Sequence, residues 1–114
     1  MSSEQLSTRI LSEQARIKSD DIRRGKVTES EINRYIETSR NIYNLPLYID
    51  ETPAITISTL SNRARRIKRL FGLNLIVVDY IQLMRAPSLA GKNDNRVQEV
   101  SEITQGLKAL AKEL

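Results

Sequence analysis

The stretch that decides the fold is Leu73-Asn74-Leu75-Ile76-Val77-Val78-Asp79-Tyr80-Ile81-Gln82-Leu83-Met84. Its consecutive β-branched residues Ile76, Val77 and Val78 favour a strand, because branching at Cβ restricts the side chain to conformations that suit an extended backbone. Apolar residues at both odd and even positions predict that both faces of this strand are buried. The run ends on one carboxylate, Asp79, and in open α/β sheets the carboxyl ends of strands border the ligand crevice.

Asp79 has two interpretations on this pattern alone. In phosphoryl-transfer ATPases a carboxylate at this place, the Walker B aspartate, holds the magnesium ion that bridges the nucleotide phosphates. The alternative is a core strand whose terminal carboxylate caps the following turn. The strand pattern leaves both interpretations open.

Helical spacing and capping signals predict helices on either side of two short strands. The predicted elements are a helix capped by Ser2 or Ser3, a helix opened by the capping box Thr28 to Glu31, a strand at 47–49, a helix at 58–71 ending at Gly72, a strand at 73–79 and a long amphipathic helix at 97–114. Strand, helix and strand between 47 and 79 predict a parallel, right-handed βαβ unit. That order would place Asp50 and Asp79 at the same edge of the sheet.

Composition excludes several kinds of site. The chain has no cysteine and no histidine, so disulfides, Cys/His zinc sites and Ser-His-Asp arrangements are excluded. The longest apolar run is far shorter than the roughly 20 residues needed to span a bilayer. A net charge of +4 permits a polyanionic partner. Two strands cannot cover four or more apolar helix faces, so we expect the chain to be truncated at its C-terminal end.

Motifs along the whole chain resemble one family, the bacterial replicative DNA helicases of the DnaB type. The segment Ile76 to Arg85 is similar to that family's Walker B segment. The other similar segments are Gln5 to Ala15, Leu45 to Pro53, Arg63 to Lys68 and Asn95 to Ile103. They occur in the family's order, which makes the resemblance specific.

The resemblance implies an α/β fold, namely a partial RecA-like P-loop NTPase core with parallel strands and flanking helices. Residues 1–114 would then be an internal fragment of the C-terminal ATPase domain, with the Walker B segment at 73–84. The P-loop is absent, since the glycines are scattered at 25, 72, 91 and 106. The catalytic glutamate, the DNA-contact loops and the arginine finger also fall outside the fragment, so no catalytic residue is expected within it. The residue directly after Asp79 is Tyr80, so no glutamate follows Asp79 to act as the catalytic residue.

The function implied by the resemblance is the ATP-driven motor of a replicative helicase. The intact protein would bind ATP and Mg²⁺, translocate on single-stranded DNA and unwind duplex DNA at the replication fork. It would be a cytoplasmic homohexameric ring with primase and a helicase loader as partners, and the fragment alone would be inactive. The alternatives are a RecA-like recombinase or a phage-type helicase, or else a non-catalytic polyanion-binding module.

The resemblance and the pattern together nominate five site residues. Asp79 would hold magnesium through a water molecule, and Gln82 would lie near the nucleotide. The basic residues Arg85, Lys92 and Arg96 lie in a predicted loop at 85–96, where they would contact DNA phosphates. The alternative for this loop is a solvent-exposed connection without a ligand.

Two further charged segments have simpler interpretations. Asp50 and Glu51 could form a two-carboxylate site with Asp79, but acceptance of hydrogen bonds from turn amides before Pro53 is favoured. The basic run Arg63, Arg65, Arg66, Lys68 and Arg69 could bind nucleic acid. A solvated outer helix face is favoured for it instead.

Overall fold

The computed structural model describes residues 1–86 and 96–114, and helices occupy most of that part of the chain. The helices are α1 (Ser3–Ala15), α2 (Ser19–Arg23), α3 (Glu29–Tyr43), α4 (Ile57–Phe71) and α5 (Arg96–Glu113), with a short 3-10 helix at Ile81–Leu83 between α4 and α5. The chain divides into a first unit, Met1–Glu51, and a second unit, Thr52–Leu114. No helix within the described ranges is long and apolar enough to cross a membrane.

The first unit consists of α1, α2 and α3. Ser2 caps α1 and Thr28 caps α3, each through a reciprocal capping box that satisfies backbone N–H groups at the helix start. Both caps confirm the prediction from sequence. Arg34 of α3 donates from Nε to the carbonyl oxygen of Ala15 at 2.7 Å, which satisfies an acceptor at the C-terminal end of α1.

The second unit is built around a small apolar core beside α4 and α5. Met84, Ala86 and Ile103 are buried, and partly buried residues pack around them: Ile55, Ile57, Leu60, Val78, Ile81 and Leu107. Gly106 of α5 packs against the side chain of Ile57 in α4. A Cβ atom placed there would lie 2.5 Å from Cγ1 of Ile57, so no side chain fits without a shift.

The predicted sheet is wrong. The described residues contain no strand, and their one isolated bridge joins Thr56 to Arg85. Residues 47–49 and 73–78 have no regular secondary structure, and they fall in different units. A strand exists only when a neighbouring strand takes up its backbone N–H and C=O groups, and here the predicted strands do not pair. The predicted parallel α/β core of RecA-like type is therefore corrected to a helical architecture for residues 1–86 and 96–114, which form no sheet edge for Asp50 and Asp79 to share.

The apolar run before Asp79 is also less buried than predicted. Leu75 and Val77 are 76% and 78% exposed, whereas Ile76 and Val78 are partly buried. Val78 packs on the core, and in the described structure Leu75 and Val77 are open to solvent. The prediction of burial on both faces is wrong for that reason.

Candidate functional site

Asp79 lies in an exposed turn that leads into the 3-10 helix Ile81–Leu83. Its carboxylate makes no hydrogen bond or ion pair to the rest of the described chain. The peptide bond between Asp79 and Tyr80 is cis. Toward residues 1–86 and 96–114 the Asp79 carboxylate is exposed and unpaired, and it does not cap the 3-10 helix as the alternative interpretation required.

The backbone after Asp79 is held firmly, although Asp79 itself is exposed. The N–H groups of Leu83 and Met84 each donate a 3.0 Å bond, to the carbonyl oxygens of Tyr80 and Ile81 respectively. Met84 is 2% exposed and anchors the segment in the core. The N–H of Arg85 donates to the carbonyl oxygen of Ile55 at 3.1 Å. The path of residues 80–85 is therefore fixed by local turn bonds, by the bond to Ile55 before α4 and by the buried side chain of Met84.

Glu99, in the first turn of α5, joins that helix to the same segment. Its carboxylate is nearly buried and accepts a 3.3 Å hydrogen bond from the backbone N–H of Ala86. It also accepts from the Arg96 guanidinium, which in turn donates to the backbone carbonyl of Gln82. The Ala86 N–H, followed by the Arg96 guanidinium and the charge of Arg85, holds the pKa of Glu99 below its usual value of 4.5.

These bonds bring together some of the predicted site residues. Gln82 and Arg96 are joined directly, and Arg85 lies beside them in an open groove. The groove is lined by Pro53, Ala54, Gln82, Leu83, Arg85, Arg96 and Glu99. Lys92 lies outside the described residues, as does most of the predicted loop at 85–96. The roles of these residues in nucleotide and DNA binding stay predictions.

Glu99 was missed by sequence reasoning. The available signal was the spacing of Arg96 and Glu99, three positions apart, because residues at that spacing are neighbours on a helix surface. Nothing local indicated that this pair would be drawn against the backbone of residues 82–86. That contact became visible only in the folded structure.

Glu51 uses its carboxylate within the first unit, whereas Asp79 belongs to the second. Glu51 accepts a 2.5 Å hydrogen bond from the backbone N–H of Ser3, at the start of α1. This bond lowers the pKa of the Glu51 carboxyl, and the partial positive charge of a helix N-terminus favours such an anion. The favoured prediction, a bond to turn amides before Pro53, is therefore wrong for Glu51. Within residues 1–86 and 96–114 no cluster of three acidic residues could hold a metal ion.

The basic side chains of α4 lie on its exposed face. Arg65 binds the carboxylate of Glu113 at the end of α5 through two bonds of 2.6 and 2.8 Å. Arg63 donates to the Thr52 hydroxyl at 2.6 Å, so part of this charge serves contacts within the second unit. Arg66 and Arg69 are exposed as well. The arrangement is that of the outer helix face favoured from sequence, and its part in nucleic-acid binding stays a prediction.

Comparison with known proteins gives one family and several close relatives. The model of the DnaB-like helicase C-terminal domain family matches residues 1–114. The chain is 54% identical over its whole length to the replicative DNA helicase DnaB of Rickettsia bellii and 40% identical to that of Geobacillus stearothermophilus. It is 38% identical over its whole length to the replicative DNA helicase DnaC of Bacillus subtilis. The chain spans only 22% of the Rickettsia protein and 25% of each of the other two.

Proposed function

Because the chain belongs to the DnaB-like helicase C-terminal domain family, we propose that it forms part of the ATP-driven motor of a replicative DNA helicase. The observation that carries this proposal is the family match, which extends over every residue from 1 to 114. Since the chain spans about a quarter or less of its relatives, the activity is proposed for the whole protein. Residues 1–114 alone are not expected to hydrolyse ATP.

In the proposed motor, the whole protein binds ATP and Mg²⁺, moves along single-stranded DNA and separates the strands at the replication fork. A homohexameric ring with primase and loader contacts belongs to the same proposal. The names of the relatives support the replicative role, since each is called a replicative DNA helicase.

Asp79 is the residue that we assign to the magnesium side of the nucleotide. Mg²⁺ in phosphoryl-transfer sites keeps several waters and is held by one or two carboxylates together with the substrate phosphates. An exposed carboxylate without a partner in the described chain fits that requirement. A buried, fully paired carboxylate such as Glu99 does not. When bound, the metal would neutralise charge on the phosphate oxygens.

The neighbouring residues have supporting parts in this proposal. Gln82 is exposed at the edge of the groove, three residues after Asp79, where its side-chain amide could contact a phosphate or a water. Position 80, directly after Asp79, is a tyrosine, so no glutamate stands there to take the proton from the attacking water. That step is left to residues outside the chain.

The structure distinguishes between the basic residues predicted to contact DNA phosphates. Arg96 already donates to Glu99 and to the carbonyl of Gln82, so contact with a phosphate would require it to give up two acceptors. Arg85 is exposed, and its backbone, not its guanidinium, makes the bond to Ile55. We therefore assign the proposed phosphate contacts chiefly to Arg85 and Lys92.

Replacing Asp79 with asparagine in the full-length gene product tests this function. The amide keeps the size of the side chain and removes its charge, so ATP hydrolysis should fall about a hundredfold, from ~3 kcal/mol of lost transition-state stabilisation. Asp50→Asn is the matched control, since Asp50 is also exposed but lies in the other unit, and it should hydrolyse ATP near the wild-type rate.

Phosphate release at saturating MgATP is the measurement, with assembly state and thermal stability recorded for each variant. Wild-type turnover in Asp79→Asn would show that the carboxylate has no part in hydrolysis. DNA binding without any ATP turnover in the unmodified protein would favour the polyanion-binding alternative.

A further inference from the structure

Glu99 is the acidic residue of α5 whose burial demands an explanation. Its exposed fraction is 9%, whereas Glu113 on the same helix is exposed. A buried carboxylate is costly unless hydrogen bonds and an opposite charge compensate it, and Glu99 has both in Ala86 and Arg96. Ala86 has no part in the proposed nucleotide or DNA site, and Arg96 was not assigned a phosphate contact because its guanidinium is already engaged. The arrangement therefore has a function within the fold.

That function can be traced along the chain from Glu99 to Asp79. Glu99 fixes Arg96, and Arg96 donates to the carbonyl of Gln82 inside the 3-10 helix. The 3-10 helix is closed by the bond from the Leu83 N–H to the carbonyl of Tyr80, the residue next to Asp79. At the other end of the segment, the Glu99 carboxylate accepts a hydrogen bond from the Ala86 N–H. One buried side chain thus holds the segment 80–86 at two points.

Asp79 depends on this support because its own side chain has no partner in the described structure. The direction in which its carboxylate points is then set by the backbone that follows it, together with the apolar contact of Val78 before it. We infer that Glu99 is a positioning residue for Asp79, which acts through Arg96 and the segment 80–86 and touches neither metal nor nucleotide. The inference rests on the proposed function, since it needs Asp79 to hold magnesium.

The test compares three variants of the full-length gene product. Glu99→Ala removes both bonds, whereas Glu99→Gln keeps an oxygen that can accept from the Ala86 N–H and loses only the charge. Glu113→Gln is the matched control, because it also removes one charge and one arginine pair from α5, at the end remote from residues 80–86. Glu113 has no part in the proposed nucleotide or DNA site.

Two measurements are made on each variant. The first is hydrogen exchange of peptides covering 80–86 without nucleotide, where Glu99→Ala should exchange about tenfold faster. The second is ATP hydrolysis as a function of magnesium concentration. Glu99→Ala should raise the half-saturating magnesium concentration about tenfold, as loss of an outer-shell partner does, with the rate at saturating magnesium within about twofold of wild type.

Glu99→Gln should show a smaller shift in half-saturating magnesium, about threefold, because a neutral acceptor replaces a charged one. Glu113→Gln should match the wild type in both measurements. Faster exchange with an unchanged magnesium dependence would make Glu99 a purely structural residue and overturn the inference, as would an equal shift in Glu113→Gln. Full ATP turnover in Asp79→Asn would instead contradict the proposed function. The Glu99 measurements alone cannot give that result, so the two failures are distinguishable.

Discussion

Replacing Gly106 with alanine should change the stability of the second unit in opposite directions, depending on what occupies position 57. Within a helix, alanine is favoured over glycine by about 1 kcal/mol. Against that gain stands the close approach of α5 to α4, where the new Cβ would lie 2.5 Å from Cγ1 and 3.3 Å from Cδ1 of Ile57. Overpacking of this kind costs about 1–3 kcal/mol, so Gly106→Ala should destabilise the unit by up to about 2 kcal/mol.

The second background removes the obstacle. Ile57→Ala deletes both conflicting atoms at a cost of about 2 kcal/mol for a partly buried side chain. In that background only the helix propensity remains, so Gly106→Ala should stabilise the unit by about 1 kcal/mol. Ala109→Gly, at an exposed position of the same helix, measures the propensity difference separately and should cost about 1 kcal/mol.

Hydrogen exchange of the α4 and α5 peptides in the full-length gene product gives the opening free energy of this region in each variant. The double-mutant cycle then isolates the coupling between positions 57 and 106, which we expect to be about 2 kcal/mol. Stabilisation by Gly106→Ala in the wild-type background would refute the close helix contact. Equal destabilisation in both backgrounds would show that Ile57 is not its cause.

Two further predictions concern charged side chains. The pKa of Glu99 is lowered in the folded state, so its contribution to the local stability of residues 82–86 is complete above a pH of about 4.5. That contribution is lost as the pH falls through the folded-state pKa. Hydrogen-exchange rates corrected for pH should show this loss in the wild type and not in Glu99→Gln. For DNA, reversing Arg85 and Lys92 to glutamate should reduce the salt slope of single-strand binding by about 0.7 per lost contact, whereas reversing Arg66 and Arg69 should leave it near the wild-type value. A larger effect of the α4 variant, with assembly intact, would contradict the proposed DNA side.

The helices of this chain were predictable because their signals are local. Thr28 and Glu31 lie three residues apart and cap each other wherever the rest of the chain goes, and both are found in that role. Gly72 ends α4 as predicted, with a positive φ of 82° that only glycine adopts easily. Such interactions are complete within one or two turns of helix, so the sequence alone contains both partners.

The strand prediction failed because the backbone hydrogen-bond partners of a strand lie outside the strand itself. Ile76, Val77 and Val78 have the right intrinsic preference, but their backbone groups need a neighbour elsewhere in the chain. In the described structure no neighbour pairs with them, and Val77 faces solvent. The contact of Glu99 with Ala86 was unpredictable for the same reason, since its partner is a backbone amide across a connection.

The bonds from Glu99 to Ala86 and from Arg96 to Gln82 also have a mechanical consequence. They tie the first turn of α5 to the segment that follows Asp79. A displacement of α5 along its axis would therefore be passed to residues 82–86, and through them to the turn that carries Asp79.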